Sequence, residues 1–340
     1  MRFGPVAIDE SVGAIVAHMV KRDGLVLKKG HVVTAEDVAR LRAAGVAEIV
    51  AARLEPGDVG EDEAARRLAD AVAGAHLRIE APFTGRCNLF AEADGVFVAS
   101  AAAIDAVNAL DESVTLATLP PMRRVVAGEM VATVKIIPFA APGALLARAL
   151  DAARDARLSI APFRPLKVGV VSTLLPGLKS SVVDKTLRVL GERLAIAGAS
   201  VGAEERVAHD AAALASAIGR VAPRCDLVVI FGASAITDRR DVIPAAIEAA
   251  GGVVAHFGMP VDPGNLLLIG RLADDKPVLG APGCARSPAE NGFDWVLQRI
   301  LAGVPVTGAD IRRMGAGGLL MEIVSRPQLR APGHDEPGHE

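Results

Sequence analysis

The run Leu227-Val228-Val229-Ile230-Phe231 narrows most what this chain can become. Consecutive β-branched and aromatic residues without polar alternation describe a strand covered on both faces, as in the middle of a parallel sheet flanked by helices. The loop Gly232-Ala233-Ser234-Ala235-Ile236-Thr237-Asp238-Arg239-Arg240-Asp241 follows, and then a helical pattern from Val242 to Ala250. That order puts the loop at the carboxyl end of the strand, where open α/β sheets bind ligands and the next helix offers unpaired N–H groups. Ser234 and Thr237 add hydroxyls, Arg239 and Arg240 can neutralise phosphate, and Asp241 can cap the helix or hold a ligand hydroxyl. Two readings stand side by side: a site for a phosphate-bearing small molecule, or a plain turn with Gly232 as pivot and Asp241 as cap.

The surroundings extend the pattern. Leu166–Val171 reads as a strand, 182–197 as a helix, 200–207 as a strand and 210–221 as a helix. Beyond the central loop come strands at 253–257, 266–269 and 278–279, then a helix over 289–301. Such alternation implies a parallel sheet with crossover helices. Three loops then gather at one sheet edge: Ser172 to Gly177, the central loop, and the turn at Pro282-Gly283. A binding crevice needs several strand ends to cooperate, so their convergence outweighs any single motif.

Before residue 161 the text is different. Residues 1–75 read as a small α/β module, with a helix expected from about Ser11 to Met19 and a second one capped by Thr34 and Asp37 and closed by Gly45. Residues 76–160 read as a β-rich module of short apolar runs broken by Gly and Pro, ending in a connecting helix over 144–157. Pro162 and Pro165 mark the boundary to the α/β domain, 161–325. The tail, 326–340, is rich in Pro and Gly and reads as disordered, with His334 and His339 as remote metal-capture candidates.

Composition sets the remaining bounds. With 51% hydrophobic residues, 3% aromatic and no Tyr, the 340-residue chain suits helix-rich α/β layers. A net charge of -3 gives no electrostatic case for nucleic acid. Cys87, Cys225 and Cys284 form no C-x-x-C pair, so neither a disulfide framework nor a zinc site is expected. No apolar run approaches the ~18 residues of a membrane span, and the amino terminus lacks a signal-peptide core. The expectation is a cytoplasmic protein that binds neither membrane nor nucleic acid.

The carboxyl-terminal pattern resembles the molybdopterin-binding fold shared by molybdopterin adenylyltransferases and molybdopterin molybdotransferases, the molybdenum insertases. The match to the former is Gly232-Ala233-Ser234-Ala235 with Arg240-Asp241-Val242-Ile243-Pro244-Ala245-Ala246, joined by an acid at Asp210 and the pair Asp184-Lys185. The match to the latter is Met259-Pro260-Val261-Asp262-Pro263-Gly264-Asn265 and Ala281-Pro282-Gly283-Cys284-Ala285, with a fainter likeness over 29–50. Ala233 and Ala235 stand where the family has glycine, and Thr173-Leu174-Leu175 lacks the acid of the corresponding insertase stretch.

The resemblance implies a three-layer parallel-sheet molybdopterin-binding domain that takes molybdopterin or its adenylate and places molybdate on the dithiolene. By the same resemblance Thr173, Gly232, Ser234, Thr237, Arg240, Pro282 and Gly283 would contact the pterin. Asp210 and Asp241 would be the catalytic acids, orienting Mg²⁺ or the attacking water. A homodimer serving a client molybdoenzyme is implied as well. Two other classes remain open from sequence: a non-catalytic carrier or sensor of the cofactor, and a nucleotide-cleaving hydrolase on the same fold.

Overall fold

The computed structural model describes residues 1–320. The tail 326–340, with His334 and His339, lies outside the described residues. The chain divides into two compact units between Phe163 and Arg164.

The first unit holds two apolar cores. One is built on an antiparallel sheet of Arg2–Ala7, Glu48–Arg53 and Ile15–Val16, with the helix Ala35–Ala43 burying Val38 and Leu41. That helix begins where the sequence places it: Thr34 accepts the N–H of Asp37, whose side chain returns to Thr34, and Gly45 follows at φ +67°. The helix expected over Ser11 to Met19 does not form. Gly13 sits at φ +81°, and Ile15 and Val16 pair with Ala52 and Ala51 instead. The second core joins helices Glu61–Val72, Ala101–Asn108 and Gly143–Ala153 to a four-stranded antiparallel sheet that includes Arg86–Ala91 and Met130–Ile136.

The second unit is built on one six-stranded sheet. In chain order its elements are β1 (Lys167–Leu174), α1 (Ser180–Ala195), β2 (Ser200–Ala208), α2 (Ala211–Val221), β3 (Leu227–Phe231), α3 (Val242–Ala249), β4 (Val253–Phe257), β5 (Leu268–Arg271), β6 (Pro277–Ala281), α4 (Gly292–Leu301) and α5 (Gly308–Arg312). The strand order is β2-β1-β3-β6-β5-β4. β1, β2, β3 and β6 run parallel, with α1 crossing from β1 to β2 and α2 from β2 to β3 as the alternation requires.

β3 is central and every one of its residues is buried, as its unbroken apolar run implies. The sheet departs from an all-parallel expectation at one strand. β5 runs antiparallel to both β4 and β6. Residues 272–276 are all that separate β5 from β6, too few for a crossover of a dozen or more residues, and Asp275 at φ +60° turns the chain into a hairpin.

The pleat sorts side chains to two faces. Val171, Val228 and Ile230 pack with Leu214, Ile218, Ile243 and Ile247 of α2 and α3. Ser172 and Phe231, paired in register, point to the opposite face. α1 buries Val183, Thr186, Leu190 and Leu194, a helical stripe, with Asp184, Lys185, Arg188 and Glu192 left to solvent.

Candidate functional site

The loops after β1, β3 and β6 meet at the carboxyl edge of the sheet and line a cleft enclosing about 220 Å³. Its floor is Gly232 to Ile236, one wall is Ala281, Pro282, Gly283 and Arg286, and the rest is apolar: Leu178 and Val182 at the start of α1, and Leu266 ahead of β5. Val182 and Leu266 are 40% and 37% exposed, so the opening carries an unshielded apolar rim. Of the residues singled out from sequence, Gly232, Ser234, Pro282 and Gly283 line this cleft together.

Thr173 stands just behind the floor. It is 1% exposed, and its Oγ1 accepts the N–H of Ala233 at 2.8 Å and lies 2.8 Å from His209 Nδ1. The last turn of β1 thus fixes the path of the loop after β3. Gly232 is needed there for space: a Cβ would meet Ser234 O at 2.7 Å and Ile243 Cδ1 at 2.8 Å. Its φ is not in the left-handed region, so close approach and not unusual torsion excludes a side chain.

Arg286 was not among the sequence candidates, yet it is the cation of the cleft. It sits on the 3-10 turn Gly283–Arg286, donating to Gly232 O (2.8 Å) and Thr186 Oγ1 (3.1 Å), its guanidinium 5.6 Å from the centre of the Phe231 ring. Among the described residues it makes no ion pair, and burial pulls its pKa below the ordinary arginine value. The signal available in sequence was an arginine three positions past Pro282-Gly283, on a loop already placed at the sheet edge. The turn is held from behind by Arg193 of α1, which pairs with Asp294 and donates to Ala285 O (2.9 Å) and Ser287 O (2.7 Å).

The remaining candidates lie outside the cleft lining. Arg240 is 91% exposed and paired with Asp238 at 2.7 Å; that hydrogen bond holds the Asp238 carboxyl down at about 2. Arg239 donates to Val254 O. Asp241 is the N-cap of α3, one oxygen accepting the N–H of Val242 (2.7 Å) and the other that of Thr237 (3.2 Å). Asp210 caps α2 in the same way, accepting from Ala213 N (2.9 Å). Asp184 is exposed and paired with Arg206.

Two consequences follow for the chemistry. Of the amides expected to cradle an anion, those of Ala233, Thr237, Arg240, Asp241 and Val242 donate within the chain. The carboxylates expected to hold Mg²⁺ act as caps, and among the described residues no group of three or more His, Cys, Asp or Glu side chains gathers to bind a metal. The donor set therefore does not fit a protein-built Mg²⁺ site.

Comparison with known proteins supplies the family. A model described as a probable molybdopterin binding domain matches residues 169–303, which spans all three loops of the cleft. A domain of unknown function (DUF8806) matches residues 5–53, the region of the first apolar core. No curated protein matches the chain. Among solved structures, a molybdopterin biosynthesis MoeA protein from Pyrococcus horikosii is 18% identical, over 91% of this chain and 76% of that one, with a TM-score of 0.32. A molybdenum cofactor biosynthesis protein from Pyrococcus furiosus is 12% identical, over 89% of this chain and 64% of that one, with a TM-score of 0.26. Residues 169–303, carrying the buried central strand and the cleft at its carboxyl end, thus match the family of probable molybdopterin-binding domains.

Proposed function

We propose that the protein binds molybdopterin in this cleft and promotes insertion of molybdate into it, working as a cytoplasmic homodimer that passes the finished cofactor to a client molybdoenzyme. The observation that carries the reading is the pairing of an apolar rim with one uncompensated cation inside the family-matched domain. A pterin is a flat heterocycle that gains by packing on Val182, Leu266, Ala233 and Ala235. Its phosphate calls for a charge-assisted donor, and Arg286 retains N–H groups beyond the two already used. Both dithiolene sulfurs must stay reachable for molybdate, which an open cleft allows.

The test uses the purified full chain. Molybdopterin should be retained through desalting, read by pterin fluorescence, and molybdate should then yield a product that reconstitutes a cofactor-free molybdoenzyme. Light scattering at micromolar concentration should give a dimer mass. Loss of the pterin on desalting at concentrations where a known pterin-binding protein retains it would sink the reading.

A further inference from the structure

We infer that the second unit carries an anion site outside the cleft, in which Arg239, His256 and Arg312 take up a doubly charged tetrahedral oxyanion, free or as the terminal phosphate of a larger molecule. This site stands apart from the pterin reading and does not depend on it.

Three elements bring the three side chains together. Arg239, in the loop after β3, reaches the edge strand β4 and donates to Val254 O at 3.3 Å. His256 follows Val254 by two positions, past an irregularity in the pairing with β5. α5 then lies against the imidazole: a Cβ on Gly308 would meet His256 Nδ1 at 3.0 Å and Arg312 Nη1 at 3.4 Å. The missing side chain thus leaves a small space that a ring nitrogen and a guanidinium both face. None of these residues belongs to the lining of the cleft.

The charge gathered there is of one sign. Among the described residues Arg239 bonds only to a neutral carbonyl, and Arg312 makes no hydrogen bond or ion pair. The acids of the same segments are engaged: Asp238 gives both oxygens to Arg240, Asp241 caps α3, and Asp310 accepts from Thr307 and pairs with Arg313. His256 is half-buried, and burial together with the Arg312 and Arg239 guanidiniums pushes its pKa below the ordinary histidine value, while the backbone at Gly258 favours the charged form. Like charges crowded without a counter-charge oppose folding, and a bound anion removes that cost and restores the proton to the ring. Guanidinium forks meet the oxygens of an oxyanion in paired hydrogen bonds, and an imidazolium adds a further donor. A metal cation is repelled by the same three groups.

The test is proton NMR of the full chain, following the imidazole resonance that disappears in His256→Gln during titration with sulfate and with chloride at matched ionic strength. Sulfate stays doubly charged from about pH 6 to 8, so a pH dependence of its binding belongs to the protein. Sulfate should move this resonance saturably, raise its titration midpoint and bind more tightly at the lower pH, and chloride should do none of these. Arg239→Gln and Arg312→Gln should each weaken binding about fivefold or more, as expected for loss of one charge-assisted contact at an exposed position. Gly308→Ala alters no charge but fills the space, and should weaken binding as well. Arg271→Gln, which removes an exposed arginine of β5 paired with Asp275, should leave affinity within about twofold. Inorganic phosphate and methyl phosphate then separate the two sources: equal affinities assign the site to the terminal phosphate of a larger molecule, and preference for the inorganic ion assigns it to a free oxyanion. A resonance that responds to sulfate no more than to chloride, or sulfate binding that survives both Arg239→Gln and Arg312→Gln, overturns the inference. The wild-type titration decides this even if a variant fails to fold, and loss of pterin binding elsewhere in the unit leaves it unaffected.

Discussion

Arg193 and Asp294, 101 residues apart in sequence, meet as a salt bridge in which each side chain is 10% exposed. The same guanidinium reaches the carbonyls of Ala285, Ser287 and Ala289, so one arginine of α1 fixes both the start of α4 and the turn that carries Arg286. Removing one partner of such a pair leaves the other buried and uncompensated. Arg193→Ala should therefore lower stability by about 3–5 kcal/mol in urea denaturation, and any variant still folded should retain molybdopterin poorly. Unchanged pterin retention in a folded Arg193→Ala protein would mean that the turn keeps its place without this anchor.

The hydroxyl of Thr173 joins β1 to the loop after β3 through the N–H of Ala233. Thr173→Val keeps the shape but leaves that N–H without its acceptor, which should cost about 1–3 kcal/mol. Thr173→Ser keeps the oxygen and should lie much closer to wild type. Equal losses for valine and serine would assign the effect to packing of the methyl group.

Arg240 and Asp238 form an exposed pair beside the cleft. Neutralising either one, as Arg240→Ala or Asp238→Asn, should leave the melting midpoint unchanged, because exposed pairs contribute little. Molybdopterin affinity should also hold within about threefold. A tenfold loss in Arg240→Ala without a change in melting would move the phosphate contact from Arg286 to this loop.

In the first unit the His31 hydrogen bond, with those from Thr34, holds the buried Asp37 carboxyl down at about 2 from an ordinary 3.8. The folded-state value is depressed, so the stabilisation is complete above the unfolded value and disappears as pH falls through about 4 to 2. Its size is on the order of 2 kcal/mol. Asp37→Asn should flatten the acid limb of the stability curve of this unit across that window. An identical limb in the variant would show that other carboxylates govern acid unfolding.

Much of the second unit could be read in advance because its signals are local. The unbroken run Leu227–Phe231 gave a strand buried along its whole length, and Asp210 and Asp241 both stand at helix N-caps, each with a side-chain oxygen on a nearby amide. What escaped the reading depends on partners remote in sequence. Arg286 bonds to Gly232 across 54 positions and Thr173 meets His209 across 36, and neither distance leaves a trace in periodicity. The reversed direction of β5 was legible in principle, since the segment Asp274-Asp275-Lys276 is a turn signal, but an apolar run alone says nothing of strand direction. Over Ser11 to Met19 the apolar spacing suggested a helix, and pairing with Ala51 and Ala52 prevailed over it.

The join between Thr173 and Ala233 also decides what kind of surface a ligand meets. A phosphate loop of the glycine-rich type works as a soft net of main-chain donors that folds around its guest. Here part of the net is tied down: Thr173 holds Ala233 N, Arg286 holds Gly232 O, and Ala233 and Ala235 are among the residues that line the cleft. That end of the loop is a fixed wall, so side-chain shape and the place of one charge weigh on what the cleft accepts.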